Sequence, residues 1–97
     1  MSDLAEREWT RKISALAISK GLNPDMLQDN VMEWGVDSPP VMGCMVALVE
    51  SALGYEISLV RMDDIHGIWE VWRAEGILLC GADTRVDALV LALETAP

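Results

Sequence analysis

Asp63-Asp64-Ile65-His66 is the only local cluster of metal-ligand residue types in the sequence. A divalent ion needs further carboxylates or imidazoles to complete its shell, and no spacing in the chain supplies them. Two acids and a His between apolar runs read as turn formers, so no metal site is assigned. A Cys nucleophile would need His66, the single His, as its base. Cys44 falls in an apolar helical stretch and Cys80 ends a strand, the usual places of inert thiols. Glu70 could serve acid–base hydrolysis only beside a second carboxylate, which no spacing provides. Gly43, Gly54, Gly67, Gly76 and Gly81 are isolated and do not form a phosphate-cradling loop. The expectation is a non-enzymatic protein with no catalytic residue, metal or cofactor.

Side chains suited to binding are better represented. Arg61 and Arg73 fall on neighbouring predicted strands and could flank a pocket in which Trp69 or Trp72 stacks a base. The competing reading makes those Trp core residues and pairs the Arg with Glu56 or Glu75. Trp is enriched among interface hot spots, although core packing is the default for each of the four; if one is exposed, it is the one at Glu33-Trp34-Gly35, because the Gly ends a helix there. Glu33, Trp34, Arg61, Trp69, Trp72 and Arg73 are therefore the candidate partner- or ligand-binding residues.

The elements that must position these residues are legible from punctuation and period. A first helix is expected from about Asp3 to Lys20, capped by Ser2 or Asp3 and ended by Gly21, with Ala5, Trp9, Ile13, Leu16 and Ala17 as one stripe. Asn23-Pro24-Asp25 starts a short second helix that ends near Gly35. Ser38 caps a third, with Pro39 in its first turn and Gly54 beyond its end. Between Val41 and Leu53 only Glu50 and Ser51 are polar, so this helix needs cover on more than one side. The sheet plus the N-terminal helices, or the sheet plus another subunit, would provide it. Tyr55–Met62, Ile68–Arg73 and Ile77–Cys80 read as three strands of an antiparallel meander, with Ala74-Glu75-Gly76 as one turn. In the second strand Ile68, Glu70 and Trp72 face one way and Trp69, Val71 and Arg73 the other, so neither face is simply polar. Thr84 followed by Asp87 opens a last helix with Val86, Leu89, Val90 and Leu93 as its core stripe and Leu91 off it. The order α-α-α-β-β-β-α is an α+β fold.

Ninety-seven residues, 52% of them apolar, make one domain over 1–97 that can bury a core without disulfides. The longest apolar run, Pro39 to Val49, is too short to span a bilayer. The first residues lack the order of a secretory signal, and the two Cys show no framework spacing. Cytoplasmic residence with free thiols is the expectation. The net charge of −9 divides into +1 over residues 1–20, four Lys/Arg against three Asp/Glu, and −10 over residues 21–97, three against thirteen. So acidic a body repels phosphate backbones, which disfavours direct nucleic-acid binding; the acidic excess reads first as a device for solubility, and otherwise as a match to a partner with a basic surface.

Over residues 25–96 the chain resembles the phage ABA sandwich domain, a family of small bacteriophage proteins built from helices and a short antiparallel sheet. Val31-Met32-Glu33-Trp34 is similar to the family's Val-Met-Gly-Trp, Ser38 to Gly54 to its Ser-started helix, and Gly54-Tyr55-Glu56-Ile57-Ser58-Leu59 to the start of its first strand. Trp69-Glu70-Val71 resembles its central strand, and Ala82-Asp83-Thr84 with Ala88 and Ala92 its closing helix. Glu33 stands for the family's Gly, and Pro39-Pro40 for its Thr-Asp. The resemblance implies a phage protein in the cytoplasm of a bacterial host and carries no catalytic residue. Together with the acidic body, it leads to a binding protein that inhibits a host defence protein by occlusion or nucleic-acid charge mimicry. The alternatives are a homo-oligomer that sequesters a nucleotide-like ligand, and an accessory phage protein. A homodimer or higher oligomer is compatible with each.

Overall fold

The computed structural model describes residues 3–63 and 68–97. Asp64, Ile65 and His66 of the expected turn lie outside them, as does Ser2, one of the expected caps. The elements run α1 (Asp3–Ser19), α2 (Asp25–Trp34), α3 (Pro39–Leu53), β1 (Ile57–Asp63), β2 (Ile68–Arg73), β3 (Ile77–Ala82) and α4 (Arg85–Thr95). The fold is α+β, in the order expected.

Local chemistry sets most boundaries. The Ser38 hydroxyl accepts the Val41 N–H at 3.4 Å at the start of α3, and the Thr84 hydroxyl accepts the Asp87 N–H at 3.1 Å at the start of α4. Gly54 ends α3 in the left-handed region at φ 84°, where a Cβ is disfavoured. Asn23 does not cap α2 from the expected position: Pro24, at φ −89° and ψ 5°, takes that place and the helix begins one residue later. The Asn23 carboxamide still accepts the Asp25 N–H at 2.9 Å. The first strand begins at Ile57 rather than Tyr55, because Ile57 pairs with Arg73, the last residue before the turn closed by Gly76 N–H to Arg73 C=O. The third continues past Cys80, with Gly81 opposite Glu70 and Ala82 opposite Trp69.

The sheet is the meander β1-β2-β3. Leu59, Val71 and Cys80 share a rung on one face, and Val71 is fully buried. That face packs on α4. The helices close a ring in which α1 meets α2, α2 meets α3, α3 meets α4, and α4 returns to α1. Ile13 and Ala17, Leu27, Val41, Met45 and Val49, and Leu89 and Leu93 fill its centre. The cover on α3 therefore comes chiefly from α2 and α4 rather than from the sheet. The other sheet face carries Val60, Ile68 and Leu78, all exposed, with Trp72 half-buried among them. The molecule measures 34 × 32 × 18 Å, so its thin axis holds two packed elements at the usual spacing of ~10 Å.

Candidate functional site

Successive residues of a helix are about 100° apart, so residues four apart share a face. In α2, Leu27 and Val31 are buried against the ring. On the opposite side Asp25, Asp29 and Glu33 form a row, each one turn from the next and all exposed. Met26 and Met32 flank that row and are 72% and 88% exposed; Trp34, the last residue of the helix, follows Leu27 and Val31 on the inward stripe and is nonetheless 59% exposed. Trp9, Trp69 and Trp72 are all half-buried, which leaves Trp34 as the most exposed Trp.

The row has a cost. Like charges one turn apart destabilise a helix by ~0.2–0.5 kcal/mol per pair, and this helix holds two such pairs. Glu33 also lies in the last turn, where the helix dipole favours a cation, and that turn has no basic residue. None of the three carboxylates makes an ion pair among the described residues. The helix thus keeps charges that weaken it and that nothing among the described residues neutralises.

Trp34 owes its position to the turn that follows. Gly35 adopts φ 84° and ψ 164°, a conformation open essentially only to glycine. A Cβ there would meet Glu6 Oε2 at 3.3 Å. The same oxygen accepts the Val36 N–H at 3.0 Å and ties the turn to α1. Ser38 completes it by donating its hydroxyl to the Gly35 C=O at 2.7 Å.

The remaining candidates do not join this surface. Arg61 lies opposite Trp69 and Arg73 opposite Ile57, four ladder positions apart, or ~13 Å at strand rise. Leu59 and buried Val71 occupy the span between them, so the two Arg do not flank one base-stacking pocket within the chain, and the competing reading holds for Trp69 at the core and for Arg73 beside Glu75. Arg73 Nε approaches Glu75 Oε2 to 2.7 Å, although its N–H is out of line for a hydrogen bond, and the guanidinium lies 4.2 Å over the Tyr55 ring. Trp69 packs on the core face, where Arg85 lies 5.5 Å over its ring. Trp72 is on the other face and donates its indole N–H to Glu70 Oε1 at 3.1 Å. The six candidates therefore separate into Glu33 and Trp34 on α2 and four residues spread over two faces of the sheet.

No three or more His, Cys, Asp or Glu side chains converge as a metal site among the described residues. The Cys80 thiol donates to the Ala88 C=O at 3.4 Å, and burial pushes its pKa up, away from the reactive thiolate. Cys44 accepts from the Asn30 carboxamide at 3.5 Å. The sequence singles out Glu33 and Trp34 on this helix but not Asp25, Asp29, Met26 and Met32. The available signal was three acids at four-residue spacing without one Lys or Arg in the helix. Comparison of the chain with known protein families, curated proteins and solved structures gives no match.

Proposed function

We propose that the protein acts by binding rather than catalysis, and that the outer face of α2 occludes a partner protein with a basic and partly apolar surface. The observation that carries this reading is the unneutralised row Asp25–Asp29–Glu33 flanked by exposed Met26 and Met32, with Trp34 exposed at the end of the same helix. Carboxylates spaced one turn apart suit cations on a partner, and the three apolar side chains supply the desolvated anchors that charge alone lacks. The resemblance to phage ABA sandwich domains supplies the setting: a phage protein in the bacterial cytoplasm, directed at a host defence protein whose groove normally holds nucleic acid. A phage-encoded partner would make the protein an accessory component instead. The alternative, a homo-oligomer that sequesters a nucleotide-like ligand in pockets between subunits, has less behind it, because Arg61 and Arg73 lie four rungs apart within one chain.

The test is native mass spectrometry of tagged protein from a bacterial host lysate, with wild type beside D29K/E33K and Trp34→Ala. The reading expects a stoichiometric protein that is retained by wild type and lost from both variants while their circular dichroism stays native. Retention by both variants would overturn it, as would capture of no protein at all.

A further inference from the structure

The chain has seven Lys and Arg residues, and five are engaged within it. Lys12 pairs with Glu94 at 3.9 Å, Lys20 donates to the Ala96 C=O, and Arg73 lies between Glu75 and Tyr55. Arg85 lies over Trp69, and Arg61 also has a partner. Only Arg7 and Arg11 have none among the described residues, in a chain with sixteen Asp and Glu. Both line one groove of about 840 Å³ between α1 and α2, with Ala15, Ile18, Gln28 and Met32. The groove's own acid, Glu6, spends one oxygen on the Val36 amide.

Two cations one helical turn apart over a groove that is only partly apolar call for a ligand with carboxylates at the same spacing and apolar side chains beside them. The outer face of α2 has that pattern: Asp25, Asp29 and Glu33 one turn apart, with Met32 at the groove's own rim. Cation pair and acid row lie on adjacent helices of one surface. A two-fold axis can set the row of each copy against the groove of the other, which is the self-complementarity an isologous dimer requires. We infer that the Arg7–Arg11 groove is a homodimer interface whose occupant is α2 of a second copy.

Charge reversal tests this without any other protein. R7E/R11E and D25K/D29K change exposed side chains only, so both should keep the native circular dichroism. Sedimentation velocity at physiological salt should show wild type in a monomer–dimer equilibrium. Each double variant alone should dimerise more weakly by on the order of 30-fold, since the two-fold repeats each lost pair. Mixed together the two variants should form a one-to-one heterodimer, identified by its mass, because each half of that interface again pairs opposite charges. Wild type that stays monomeric up to millimolar concentration would overturn the inference, as would R7E/R11E dimerising like wild type or a mixture that yields no heterodimer. None of these three results bears on lysate capture by the α2 face, so the two readings fail separately.

Discussion

Replacing Glu33 by Lys is expected to make the protein more stable. Glu33 repels Asp29 one turn before it and lies in the last turn of α2, where the exposed carbonyls are the negative end of the helix dipole. Reversal turns the Asp29 pair from repulsive to attractive, with the acid N-terminal to the Lys as the dipole prefers, a swing of ~0.4–1 kcal/mol. The dipole contribution changes sign as well, a further swing of ~0.6–2 kcal/mol at an exposed position. Glu and Lys have similar helix propensity, so the backbone adds almost nothing. We take the lower part of this range, about 1 kcal/mol, because solvent and salt screen the site. Urea unfolding followed by circular dichroism should then move its midpoint up by roughly 0.5 M at an m-value of ~2 kcal/mol/M. Dilute protein excludes any contribution from self-association. Glu33→Gln should gain about half as much, and molar salt should shrink both gains. E33K no more stable than wild type, or a gain indifferent to salt, would refute the electrostatic account of α2.

Gly35→Ala forces a Cβ into a conformation reserved for glycine and against Glu6 Oε2, so a loss of ~1–3 kcal/mol is expected by urea unfolding; a neutral result would mean the turn adopts another geometry. Leu93 is fully buried on α4, and Leu93→Ala should cost ~2–5 kcal/mol, a large share of the stability of so small a domain. A loss under ~1 kcal/mol would place Leu93 outside the core. Burial raises the Cys80 pKa in the folded state, so the stability held by the neutral thiol is present below the free-thiol value of about 8.5 and is lost as pH rises above it. Unfolding midpoints across that range should fall more steeply for wild type than for Cys80→Ala, and parallel curves would remove this linkage.

The elements were legible because each carries its own punctuation. Ser38 with Pro39 and Gly54 frame α3, and Thr84 with Asp87 opens α4, all from interactions within a few residues. Binary alternation assigned Val71 and Trp72 to opposite faces without knowledge of what covers either. Long-range placement was not legible. Nothing in the spacing of Arg61 and Arg73 shows that antiparallel pairing puts four rungs and a buried Val71 between them. Nor does the composition of α3 show that α2 and α4, rather than the sheet, enclose it, since apolar periodicity reports the need for cover and not its source. Trp34 was legible because helix termination is local. The freedom of Arg7 and Arg11 was not, because it depends on where every other charge in the chain is engaged.

Salt separates the two uses assigned to the α2 row. A complex with a basic partner joins opposite net charges and should weaken steadily as salt rises. The homodimer joins two bodies of net charge −9. Their mutual repulsion at centres on the order of 25 Å apart is of order 10 kcal/mol in water without salt, and it acts over several Debye lengths at physiological ionic strength. Contact pairs between Arg7 or Arg11 and the row act within about 4 Å and are screened far less. Raising salt from millimolar to physiological should therefore strengthen the dimer, because the long-range term is lost before the short-range one. Sedimentation at the two ionic strengths decides it: a dimer that weakens over this interval would show that attraction between the copies is itself long-range, which two grooves on acidic bodies cannot supply. Because both associations use the row, dilution and low salt leave it free for a partner, and concentrated protein at physiological salt covers it.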